Sequence, residues 1–146
     1  MIDFYKIRYI ADFFPSLILG EQEMGAKFEL NAEQGILRVV IAGKPTAEEL
    51  IQNLKKIQSE PGYSHDLRLW DFRNSNFNLT KEELEQVAAQ ASSADSRPGK
   101  VAMLVKGDLA FGLARMYEMY RNSELTEVEV FRDESEALAW LGEKEA

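Results

Sequence analysis

From Phe28 onward the apolar and polar positions alternate regularly. Phe28-Glu29-Leu30 is followed by the turn-like NAEQG (Asn31 to Gly35) and then by ILRVVIA, a pattern that predicts a β-hairpin with Asn31 and Gly35 at the turn. Gly43 and Pro45 end the second strand. Thr46 and Glu49 make a T-x-x-E capping box ahead of Leu50, Leu54 and Ile57, so a helix runs to about Ser59 and stops at Pro61-Gly62. LRLWDF then reads as a buried strand. Thr80 and Glu83 repeat the capping box before Leu84, Val87, Ala88 and Ala91, giving a second helix.

SSADSRPGK is a loop by composition, and VAMLV is a strand of near-continuous apolar character. Asp108 is placed to cap a third helix, from Leu109 to about Arg121, with Leu109, Leu113, Met116 and Tyr120 as its core stripe. TEVEVF is the next strand. Asp133 and Glu136 open a last helix, EALAWL, that ends at Gly142. Hairpin, α, β, α, β, α, β, α is the order of an α/β domain whose last strands run parallel. Residues 26–146 form this single domain, and residues 1–25 form an aromatic arm or short helix ending near Pro15.

If the parallel strands are sequential in the sheet, right-handed crossovers place their helices on one face. The second face would then hold Arg38 and Val40, Arg68, Trp70 and Phe72, Ala102 and Leu104, and Glu127 and Glu129. Its apolar centre needs cover, which the aromatic N-terminal arm is expected to supply within the subunit or across a homodimer. Asp3, Lys6, Arg8 and Asp12 interrupt that arm. It therefore matches neither a membrane span, which needs about 20 consecutive apolar residues, nor a secretory signal. A cytoplasmic location without stable membrane insertion is the expectation.

Composition narrows the chemistry. The chain has 146 residues, a net charge of −8, no Cys and one His. The acidic balance argues against a nucleic-acid partner, which needs concentrated Lys and Arg. Without Cys there is no disulfide, thiolate nucleophile or usual structural zinc site. A lone His leaves no histidine metal triad, so neither a metal nor a cofactor is expected. The charge is also uneven: from Glu124 onward eight acidic residues stand against Arg132 and Lys144, while Arg97 to Arg121 holds five basic residues against Asp108 and Glu118. That asymmetry could orient a partner or a second copy of the chain.

A few polar groups remain to be weighed. Asp71 and Arg73 end a parallel strand, at the sheet edge where open α/β sheets bind ligands, with Lys44 and Asp108 expected on the same edge. They either hold a small anionic or polar ligand, Arg73 giving a forked contact, or form an ion pair that fixes the loop. Ser64, His65 and Asp66 are consecutive, an arrangement that seldom lets an imidazole bond both triad partners, and they read as a loop. Neither G-x-G-x-x-G nor G-x-x-x-x-G-K-[ST] occurs. No catalytic residue is assigned. On the third helix Phe111 projects away from the expected core stripe beside Arg115 and Glu118. It is either an interface anchor with Arg115 or is covered by the arm or a neighbouring loop.

GILRVVIAGKPTAEEL, DLRLWDFRN, KVAMLVKGDLAFGLARMYEMY and VEVFRDESEALAWL resemble the bacterial SpoIIAA-like proteins, a branch of the STAS and SEC14-like group. The likeness runs from about Phe28 to Leu141, and D-x-A-F-G-x-A-R-M-Y is its most specific part. It implies a four-turn β-α superhelix and a regulatory or protein-binding role rather than catalysis. In anti-sigma-factor antagonists of this fold a Ser or Thr opening the second helix, in a D-S-x-G motif, is phosphorylated. Here that stretch reads FNLTKEEL, so Thr80 alone could take the position, as a switch or as a plain N-cap closed by Glu83. The SEC14-like side implies instead a carrier of a small apolar molecule or lipid, with Trp70 and Phe72 lining a pocket between sheet and arm.

Overall fold

The computed structural model describes residues 22–23, 25–31, 33–59, 66–93, 98–121 and 125–143. Its elements are β1 (Gln22–Glu23), β2 (Ala26–Asn31), β3 (Ile36–Gly43), α1 (Ala47–Gln58), β4 (Leu67–Ser75), α2 (Lys81–Ser92), β5 (Gly99–Leu104), α3 (Asp108–Arg121), β6 (Thr126–Phe131) and α4 (Glu134–Leu141). They build one mixed sheet in the order β1-β2-β3-β4-β5-β6, antiparallel through β3 and parallel from β3 to β6. The chain is thus an α/β protein with the expected hairpin.

Local chemistry explains most boundaries. In the hairpin turn the Asn31 side-chain oxygen accepts from the N–H groups of Glu33 and Gln34, and Gly35 takes a left-handed φ of 68°. Thr46 caps α1 by accepting from the Glu49 N–H, and Thr80 with Glu83 forms a complete capping box on α2. Asp133 caps α4 through the Glu136 N–H. The expected cap of α3 differs: Asp108 lies inside the first turn, and its carboxylate accepts from Arg132 at 2.8 Å.

α1, α2 and α3 share one face of the sheet, as sequential crossovers require. Leu50, Leu54 and Ile57, then Leu84, Val87 and Ala91, then Ala114 and Tyr117 pack on Val39, Ile41, Trp70, Phe72, Val101 and Met103. This corrects the expected placement of Arg68, Trp70 and Phe72 on the second face. β4 aligns Trp70 with Val39 and Leu69 with Arg38, so the aromatic pair faces the helices while Leu69 shares the side of Arg38. Leu69, Trp70, Asp71 and Phe72 are all buried, and a strand covered on both faces carries no alternation from which its parity could be read. β3 and β5 hold their expected parity.

The second face is covered by α4. Ala137 and Leu141 seat on Ile36, Leu69, Ala102 and Leu104, with Leu138 and Trp140 at the margin. No crossover constrains α4, because it follows the last strand of the sheet. The arm expected there lies in residues 1–20, outside the described residues. Lys100 reaches α4 from β5: its Nζ donates to the carbonyls of Trp140 and Glu143 at 3.0 and 3.1 Å and sits 5.0 Å from the Trp140 ring centroid.

α3 is rotated relative to expectation. Its buried residues are Ala114, Tyr117 and Arg121, whereas Leu109 is 62% exposed and Leu113, Met116 and Tyr120 are only partly buried. Apolar residues occupy most of its circumference, so the stripe that meets the core is chosen by packing. Among the described residues no helix is long and apolar enough to cross a membrane.

Truncating Leu141 to Ala should remove about 3 kcal/mol of stability, read as a lower urea midpoint, because it opens a cavity under a helix whose cover rests on few side chains.

Candidate functional site

The C-terminal edge of the parallel strands gathers the densest polar cluster among the described residues. Asp71, with 3% of its side chain exposed, lies at its centre. Arg73 grips it with a fork, Nε to Oδ1 at 3.0 Å and Nη2 to Oδ2 at 2.9 Å, and the Arg73 backbone N–H also donates to Oδ1 at 3.0 Å. Arg38 donates from β3 to Oδ2 at 2.8 Å. Both guanidiniums also donate to Glu134 Oε1 in the first turn of α4. Here β4 carries an extra residue relative to β3, since Val40 pairs with Asp71 but Ala42 with Asn74.

Burial alone would push the Asp71 carboxyl up, but the hydrogen bonds from Arg73 and Arg38 outweigh it and hold the group below its ordinary range. Both oxygens are occupied by donors. A carboxylate so held is a poor proton acceptor, and the cluster is built to tie β3, β4 and α4 together.

Of the expected edge residues, Asp71 and Arg73 meet and Asp108 does not join them. Asp108 is bound to Arg132, in the turn between β6 and α4, which lines the same cleft as Arg73. Lys44 is exposed after Gly43 and stays apart. The cleft at this edge, about 650 Å³, is lined by Arg73, Asn74, Val105, Lys106, Gly107 and Arg132. Lys106 and Arg132 are legible in the sequence only as polar residues following parallel strands. Arg73 and Arg132 are already committed to Asp71, Glu134 and Asp108, while Lys106 adds a further positive charge to the cleft.

Phe111 is partly buried against the core, with the Arg132 guanidinium 4.3 Å from its ring centroid. The Arg132 side chain, from the turn between β6 and α4, lies over one side of the ring. Arg115 is exposed and meets Glu118 at 3.5 Å. The large apolar side chains that are exposed are Leu109, Met119 and Leu125, on α3 or just beyond it. Leu109, Gly112, Met116 and Met119 recur at helical spacing, a stripe the sequence pattern had assigned partly to the core.

Trp70 and Phe72 do line an apolar cavity, which lies between the sheet and α1–α3, and the arm expected to cover it lies outside the described residues. Its volume is about 30 Å³. Arg68 and Arg121 also border it; Arg121 is 1% exposed and donates to Ser92 Oγ at 2.9 Å. Thr80 is exposed, its hydroxyl accepting from the Glu83 N–H at 3.2 Å while Glu83 Oε1 accepts from the Thr80 N–H at 2.9 Å. Ser64 and His65 lie outside the described residues, and Asp66 is exposed. Among the described residues no group of three or more His, Cys, Asp or Glu is placed to hold a metal.

No protein-family model matches the chain, and no curated protein matches it.

Replacing Asp71 with Ala should cost about 2–3 kcal/mol, because it strips charged hydrogen bonds from two guanidiniums. The pH dependence has a definite sign. A carboxyl depressed in the folded state stabilises fully above its unfolded range and loses that contribution as pH falls through the folded value. Acid unfolding followed by circular dichroism should therefore show a smaller stability loss below the ordinary carboxylate range in the Ala variant than in the parent.

Proposed function

We propose that this chain is a non-enzymatic regulatory module of the SpoIIAA-like, STAS kind that works in the cytoplasm by binding a protein partner. What carries the reading is that Leu109, Met119 and Leu125, the exposed large apolar residues among those described, all lie on α3 or just before β6. A helix offering apolar side chains at i, i+7 and i+10 has the form of a docking surface, and methionines let such a surface adapt to its partner. Arg115 at its rim favours a partner whose apolar patch is edged with acid. The segment most like the SpoIIAA-like proteins is this same helix.

Thr80 serves in this reading as a structural cap. Its hydroxyl is engaged in the capping box, and Glu82 and Glu83 in the first turn of α2 would repel an added phosphate.

A carrier of small apolar molecules is the second reading, favoured by the cavity behind Trp70 and Phe72. Its 30 Å³ is about the share of one water molecule, against the roughly 300 Å³ or more of ligand pockets. A lipid would enter only if α1–α3 moved off the sheet.

In affinity capture from the cells that make the protein, Leu109→Asp should reduce recovery of the specific partner at least about tenfold. Thr80→Ala should leave recovery intact and cost about 1 kcal/mol of stability. Equal recovery with Leu109→Asp would remove the α3 surface. Native mass spectrometry should give the bare chain at 16.6 kDa, and a retained small molecule would favour the carrier.

A further inference from the structure

β6 is an outer strand, paired on one side only among the described residues. The carbonyls of Leu125 and Phe131 accept from Gly99 and Val105, so these residues direct their backbone groups toward β5. Alternation then turns the N–H and C=O of Val128 and Val130 away from the sheet. Beside this edge, between α3 and α4, lies a cleft of about 600 Å³. Glu118, Met119, Glu127, Val128, Glu129 and Trp140 line it.

The lining holds three carboxylates and no Lys or Arg. Glu118 Oε2 is buried with no hydrogen-bond partner, since Arg115 approaches only to 3.5 Å. Burial raises the Glu118 carboxyl above its ordinary range, Arg115 opposes the shift, and Glu129 adds to it. A cation beside Glu129 would relieve its repulsion with Glu118. A second copy of the chain fits badly, because two-fold pairing of β6 about Val128 would set Glu127 opposite Glu129 of the other copy, like charge against like.

We propose that the β6 edge is a strand-addition site for an extended segment of a partner protein carrying Lys or Arg at alternate positions. Its backbone bonds to Val128 and Val130. Its basic side chains lie on the α4 side beside Glu127 and Glu129, and the intervening apolar ones on the α3 side beside Val128 and Met119. The site does not rest on the docking surface of α3, with which it shares only Met119.

The test uses the full chain and two synthetic octapeptides, acetyl-(Lys-Val)₄-amide and acetyl-(Glu-Val)₄-amide, with binding read from Trp fluorescence and amide exchange. The Lys-Val peptide should bind and slow exchange at Val128 and Val130 at least about tenfold, while the Glu-Val peptide does not bind. Glu127→Lys with Glu129→Lys should weaken the Lys-Val peptide at least about tenfold and create binding of the Glu-Val peptide, which also reports that the variant is folded. Glu82→Lys with Glu85→Lys, the same charge change on the exposed side of α2, should leave affinity within about twofold. No binding, equal weakening by the two double variants, or unchanged exchange at Val128 and Val130 would overturn the proposal.

Discussion

The fold depends on how one short helix is held. α4 has eight residues, too few for a stable isolated helix, yet it is what covers the second face of the sheet among the described residues. It is gripped by charge at both ends. At its N-terminus Glu134 takes hydrogen bonds from Arg38 and Arg73, and at its C-terminus Lys100 donates to the carbonyls of Trp140 and Glu143. Both arrangements also suit the helix dipole, with an acid at the positive end and an amine at the negative end. Between the clamps Ala137 and Leu141 close over Ile36, Leu69, Ala102 and Leu104.

This accounts for the best-placed polar cluster. Asp71 is buried, three donor groups converge on it, and its neighbours reach α4, so its geometry is that of a fastening. The exposed apolar and acidic surfaces lie elsewhere, on the outer side of α3 and along β6. They differ in chemistry. The first presents Leu109, Met116 and Met119 beside Arg115, the second an acidic groove beside a strand edge paired on one side only among the described residues.

Element order was readable because helix starts and hairpin turns are written in a few residues. Thr46 with Glu49, Thr80 with Glu83, and Asp133 with Glu136 all form the expected caps. Two readings failed for a common reason. LRLWDF is buried on both sides and α3 is apolar nearly all round, so neither carries the contrast that tells one face from the other. Asp71 and Arg73 were recognisable from their place at the C-terminal end of a parallel strand. Arg38, Glu134 and Lys100 were not, because they lie 33 to 96 residues from the groups they bind.

The sequence by itself determined where the chain turns, where its helices begin, and that its strands would alternate with helices, since caps, glycine turns and periodicity act over only a few residues. Only the tertiary structure decided which face of β4 meets the helices, that α4 closes the other face, and that Phe111 lies beneath Arg132 while Leu109 and Met119 stay outside. Those outcomes depend on register between strands and on the competition of distant side chains for the same buried area, and neither is encoded in any single stretch of the chain.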